Sequence, residues 1–248
     1  MKKKDNKTRP SNIEMEIAEI KHTEPTILEC TEEVNAAELE QAFSELMTSG
    51  GETVSFTYGY EDSLIMEDYR DRKIYINRTI NSDVADMLMF FILRYNAEDK
   101  DIPIEERKPI RIFLSTNGGE VNAGIMCMSA IKNSKTPVWT ISFGQLYSMG
   151  FHIFLTGDRR FITTDTTVLH HSGSYGDMGT TYAVIDNIKF HQEQVKRLNE
   201  QIIEVTKISP RMLKNMEREE KYWFAEDALE LGIATDIIGV TTDLDTIL

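Results

Sequence analysis

The spacing of apolar positions changes character near Arg72. From Met1 to about Asp71 the chain is polar and acidic. Within that segment the amphipathic stretch Glu32 to Met47 predicts a short helix stopped by Gly50-Gly51, and the alternation Val54-Ser55-Phe56-Thr57-Tyr58 predicts a strand. Beyond Arg72, β-type runs alternate with helical spacing. Strands are predicted at Lys73–Ile76, Ile110–Leu114, Val138–Ser142, Arg160–Ile162 and Thr167–His170. Helices are predicted from Ser82, which would cap the first with Asp83 and Asp86 in its opening turn, and over Val121 to Asn133, Ser148 to Leu155 and Tyr182 to Lys207, with another starting at Pro210. Repeated strand–turn–helix units predict an α/β fold with mostly parallel strands. The organisation read from this pattern is an N-terminal extension, 1–71, followed by one domain, 72–248.

Composition narrows the class. The chain has 248 residues, 41% of them hydrophobic, which suits a folded domain with a substantial core and excludes a disordered or collagen-like reading. A net charge of −14 argues against nucleic acid or an anionic membrane as partner, because a phosphate binder needs a basic surface. Cys30 and Cys127 form no CxxC pair, so neither a disulfide framework nor a zinc knuckle is expected, and a reducing, cytoplasmic compartment fits. The basic start, Met1 to Arg9, runs into polar residues rather than the apolar stretch of an export signal. The longest apolar run, Met87 to Leu93, is far short of the roughly 20 residues that span a bilayer.

Three places carry candidate chemistry. Asn117-Gly118-Gly119 lies between a buried-looking strand and a helix, where paired glycines let backbone N–H groups face a ligand. No Lys-Ser/Thr follows, so a phosphate loop is not indicated. In Tyr147-Ser148-Met149-Gly150 a serine starts an apolar helix, with Leu146 where the nucleophile elbow of α/β-hydrolases needs glycine. His170-His171 ends a short apolar strand. Consecutive strand residues face opposite ways, so at most one of the two works with Ser148. Each feature alone has an ordinary structural explanation, but all three follow strands and would gather on one sheet edge. An acid to orient the histidine should come later, and Glu217, Glu219 and Glu220 are the candidates.

Taken in order, these segments resemble the Clp protease proteolytic subunit, the serine peptidase of the Clp/crotonase superfamily, over roughly Arg72 to Ile238. The similarity rests on Ser115 to Gly124 with its Gly-Gly and following Ala-Gly, on Ser148-Met149-Gly150, on Val168-Leu169-His170, on Met216-Glu217-Arg218-Glu219, and on Phe224 to Ala228 with Gly232 to Asp236. The chain departs from the family at Asn117 (usually Pro), at Tyr147 (usually small), at His171-Ser172 (usually Gln-Pro) and at Glu219 (usually Asp), and it is shortened just after that acid.

The resemblance implies a spiral of β-β-α units with a long handle helix, and peptide-bond hydrolysis by Ser148 as nucleophile, His170 as base and Glu219, or Glu220, as orienting acid. Gly118 or Gly119 with Met149 would supply the oxyanion N–H groups, and no metal or cofactor is called for. It also implies a homo-oligomer of stacked heptameric rings, polypeptide substrates, and a partner AAA+ unfoldase that spends the ATP. The long helix, with Ile185, Ile188, Val195, Leu198 and Ile202, carries more apolar surface than a simple surface helix requires, as a handle would. A proteolytically silent ring subunit is the alternative. An acyl-CoA enzyme of the crotonase type is disfavoured by the Ser-Met-Gly motif. Residues 1–71 are expected to be a self-cleaved propeptide or a docking element.

Overall fold

The computed structural model describes residues 14–18, 26–29, 53–56, 60–216 and 219–248. The helix expected over Glu32 to Met47 lies outside them. The chain separates into two compact units, Met1–Glu67 and Asp68–Leu248, so the division falls slightly before the expected boundary at Asp71. In the first unit three strands, β1 (Glu14–Ala18), β2 (Thr26–Glu29) and β3 (Thr53–Phe56), form an antiparallel sheet in the order β2-β1-β3. Helix α1 spans Tyr60–Arg70.

The second unit is built on a parallel five-stranded sheet ordered β11-β8-β6-β5-β4, with β4 at Lys73–Ile76, β5 at Ile110–Leu114, β6 at Val138–Ser142, β8 at Arg159–Ile162 and β11 at Asp236–Ile237. Its central strands read as near-continuous apolar runs because both faces are covered, the usual condition of parallel sheets. Ile74, Ile76, Ile110, Ile112 and Ile141 are fully buried. Helix α2 (Ser82–Glu98) turns Val84, Leu88 and Ile92 into this core, with Phe91 partly buried beside them. Its cap is Asn81 rather than the expected Ser82. The Asn81 side chain accepts from the Val84 N–H at 3.1 Å, and Ser82 is already the first helical residue. At the other end Asp99, 1% exposed, accepts two 2.6 Å hydrogen bonds from Arg72 and one from Thr136. The Arg72 guanidinium holds that carboxyl below the usual range.

A second, smaller sheet escaped the sequence pattern. It is ordered β10-β9-β7, with β7 at Gln145–Tyr147, β9 at Thr167–His170 and β10 at Lys221–Trp223. Strands β7 and β9 run parallel, and β10 runs antiparallel to β9. Three residues are too few to show a period, so β7 and β10 read as loop in the sequence. Helices α3 (Val121–Lys132) and α4 (Met149–Phe154) flank this region. The long helix α5 covers Thr181–Val205, two residues short of the expected Lys207. Its side chains are buried only toward the C-terminal end, at Leu198, Gln201 and Ile202, while Tyr182, Ile185, Ile188 and Phe190 are exposed. Helix α6 starts at Pro210, as expected, and α7 spans Ala225–Glu230.

Candidate active site

The small sheet lines up the candidate segments side by side. Thr116, in the glycine turn, bridges to Leu146 of β7; Leu146 pairs with Val168 of β9; and Val168 pairs with Trp223 of β10. Each segment therefore leaves the sheet beside its neighbour, which brings the ends of three separate chain regions together without any need for sequence proximity.

Ser148 follows β7 directly. Its backbone sits at φ 54°, ψ −121°, in the left-handed region that side chains other than glycine rarely adopt. Such strain persists only where the surroundings impose it. Here its N–H donates to the Leu169 carbonyl at 3.0 Å, and its own carbonyl accepts from the Phe151 N–H at 3.1 Å. Gly150, one turn in, is required because a Cβ there would lie 2.3 Å from the Thr116 methyl.

His171, not His170, meets the serine. His171 Nε2 lies 2.8 Å from Ser148 Oγ. The expected pairing of Ser148 with His170 is not what the fold makes. His170 shares its strand face with Val168 and points inward, 3% exposed, with its ring 5.8 Å from both Phe151 and His152. Parity puts the two histidines on opposite strand faces, but Val168 and Leu169 are both apolar and both buried, so the sequence alone does not say which histidine meets the serine. Burial pushes the pKa of His170 down to about 4, with His171 adding to the shift, and pushes that of His152 down to about 3.

On the opposite side of Ser148, the glycine turn is held by Ile80, whose N–H donates to the Gly118 carbonyl at 2.8 Å and whose carbonyl accepts from the Glu120 N–H at 2.9 Å. Gly118 and Gly119 have φ of 97° and 153°, and a Cβ on Gly118 would come within 2.7 Å of Ser148 Cβ. Their close approach to the Ser148 segment is thus a glycine property. The two N–H groups differ. That of Gly118 donates to Thr116 Oγ1 at 3.0 Å, whereas those of Gly119 and Met149 have no acceptor among the described residues. Of the expected oxyanion donors, Gly119 and Met149 are available and Gly118 is engaged.

The acid side is looser. Glu219 and Glu220 are both exposed, and no carboxylate among the described residues hydrogen-bonds His171. The Glu220 carboxylate accepts from the Tyr222 hydroxyl at 2.9 Å. The β9–β10 register runs Trp223–Val168, Tyr222–Leu169, Lys221–His170, so its next step sets Glu220, rather than Glu219, opposite His171. Ser148, His171 and Gly119 line one cleft of about 260 Å³, together with His191, Val195, Leu198 and Asn199 of α5. Among the described residues no group of three or more His, Cys, Asp or Glu side chains is arranged to hold a metal ion, and no helix is long and apolar enough to cross a membrane.

This arrangement provides a hydroxyl on a base, next to two free backbone donors, which is the equipment of acyl transfer. The Clp protease family model matches residues 60–241. The chain is similar to the ATP-dependent Clp protease proteolytic subunit of Deinococcus radiodurans, 24% identical over 70% of this chain and 83% of that one. It is also similar to ATP-dependent Clp protease proteolytic subunit 2 of Bifidobacterium longum, 26% identical over 84% of this chain and 97% of that one. Among solved structures, a mutant ClpP1 from Listeria monocytogenes matches with a TM-score of 0.62 at 23% identity, over 75% of this chain and 99% of its own, a likeness that shows the fold alone. The fold, the order of the motifs and a family match across most of the chain lead to one conclusion: this chain belongs to the Clp protease family.

Proposed function

We propose that the chain is a Clp-type serine endopeptidase subunit that hydrolyses peptide bonds of unfolded polypeptides. The observation that carries this reading is the 2.8 Å contact between Ser148 Oγ and His171 Nε2 beside two unengaged N–H groups. In this reading Ser148 attacks the peptide carbonyl while His171 takes its proton and returns it to the leaving amine. The N–H groups of Gly119 and Met149 bind the oxyanion. Glu220 is the acid favoured by strand register, ahead of the Glu219 that the resemblance implies, and it would orient the imidazole after exchanging its bond to Tyr222 for one to His171. No metal takes part.

The exposed apolar side chains of Tyr182, Ile185, Ile188 and Phe190 on the first half of α5 support a homo-oligomeric ring in which another copy covers that half. ATP would be spent by a partner AAA+ unfoldase rather than by this chain. The buried free thiol of Cys127 accords with a reducing, cytoplasmic setting. A fluorophosphonate probe tests the central role: labelling of Ser148 that disappears in Ser148→Ala supports it, and absence of labelling in an assembled sample refutes it.

A second reading, a proteolytically silent ring subunit, is favoured by the engagement of Glu220 with Tyr222. It predicts incorporation into rings with an active paralogue and no probe labelling.

A further inference from the structure

The base shares its side of the small sheet with two tyrosines. The ladder pairs Tyr147 with Leu169 and Leu169 with Tyr222, and its next step sets Glu220 opposite His171. Residues paired across a ladder, and residues two apart along a strand, point the same way. Tyr147, Leu169, Tyr222, Glu220 and His171 therefore stand on one face, and the 2.9 Å bond from the Tyr222 hydroxyl to the Glu220 carboxylate is its direct sign. On that face the Tyr222 ring meets Tyr147 edge to face with centroids 6.1 Å apart, and the Tyr147 hydroxyl is tied to Thr167 Oγ1 at 2.9 Å. Tyr222 is braced by its neighbours, although it is half-exposed.

This braced phenol competes with the base for one carboxylate. Tyr222 donates to Glu220 Oε2, while His171, engaged with Ser148 Oγ through Nε2, bonds no carboxylate among the described residues. Tyr222 lies two positions along the chain from Glu220, whereas His171 lies across the ladder, so the two bonds draw the carboxylate in different directions. The bond to Glu220 raises the pKa of the phenol, which keeps the hydroxyl a donor through the neutral range. In a half-exposed setting the net strength of such a bond is modest, enough to hold the acid without preventing its release.

We propose that Tyr222 is a positioning residue of the site, whose hydroxyl withholds Glu220 from His171 until the carboxylate changes partner. The inference rests on the peptidase reading above, with Glu220 as the acid. With Glu220 on Tyr222, the site is a nucleophile and a base without their orienting acid; with Glu220 on His171, it is complete.

The test is Tyr222→Phe in the full, assembled chain, which keeps the ring against Tyr147 and removes only the donor. The kcat for peptide hydrolysis is expected to rise about fivefold with KM unchanged, the scale of one half-exposed hydrogen bond. The gain should vanish when Glu220→Gln is added, since Tyr222 acts only through that carboxylate. A kcat that is equal or lower in Tyr222→Phe, or a rise that survives in the double variant, overturns the proposal and leaves the peptidase reading standing. A crystal structure of Tyr222→Phe decides independently of turnover: Glu220 within hydrogen-bonding distance of His171 supports the withholding role, and Glu220 directed elsewhere refutes it. Failure of a fluorophosphonate probe to label Ser148 in the unaltered protein refutes the peptidase reading and, with it, the proposal.

Discussion

The two flanks of Ser148 are built differently. On the glycine side, Thr116, Gly118, Gly119 and Ile80 are locked by short backbone hydrogen bonds, and the spacing between the turn and the serine leaves no room for a Cβ. On the acid side, Glu219 and Glu220 are exposed, and the carboxylate opposite His171 is held by Tyr222. On the proposed peptidase reading, a single copy of the chain thus preorganises the attack and the oxyanion donors but leaves the orientation of the base adjustable. Preorganised dipoles are the costly part of such a site to assemble at the moment of reaction, whereas one carboxylate can be redirected by a side-chain rotation.

The comparison is broken most severely on the base. His171→Ala is expected to lower peptide hydrolysis by about a thousandfold or more, and His170→Leu by less than about tenfold, measured as kcat/KM. Next comes the rigid flank: Gly118→Ala places a Cβ against Ser148 at a positive φ and is expected to cost about a hundredfold in kcat, the scale of one lost oxyanion donor. The adjustable flank gives a smaller and more discriminating result. Glu220→Gln is expected to reduce kcat by about tenfold or more, and Glu219→Gln to leave it within about twofold, with the reverse order reinstating Glu219.

The smallest effect is on stability. His152 and His170 titrate lower in the folded chain than the ordinary value of 6.5, so between pH 6.5 and about 3 to 4 the unfolded chain binds protons that the folded one does not. Stability therefore falls as pH drops through that window. Beyond burial, the groups that oppose protonation are His170, His171 and Lys132 for His152, and His171 for His170. Urea midpoints across this range should decline less steeply in His152→Leu than in the unaltered protein, and parallel curves would remove His152 from the explanation.

What the sequence made legible follows from length and period. Strands β4, β5, β6 and β9 could be bounded because each is an apolar run of four or five residues flanked by turn or cap residues. Strands β7 and β10 could not, since Gln145-Leu146-Tyr147 and Lys221-Tyr222-Trp223 are held by ladder partners distant in sequence. That omission hid the register on which the acid depends. The same limit explains the histidine. The pair His170-His171 was visible, but choosing between them required knowing that Val168 faces Trp223 and Leu146 across a sheet whose outer strands were unread. Asn81 took the cap from Ser82 through a one-residue shift of the helix start, the scale on which helix ends ordinarily vary.

The contact between Ser148 and His171 is most directly tested by fluorophosphonate labelling of the assembled protein beside His171→Gln and His170→Gln. Labelling in the unaltered protein and in His170→Gln, with loss in His171→Gln, is the expected pattern; labelling that survives in His171→Gln and is lost in His170→Gln would contradict it.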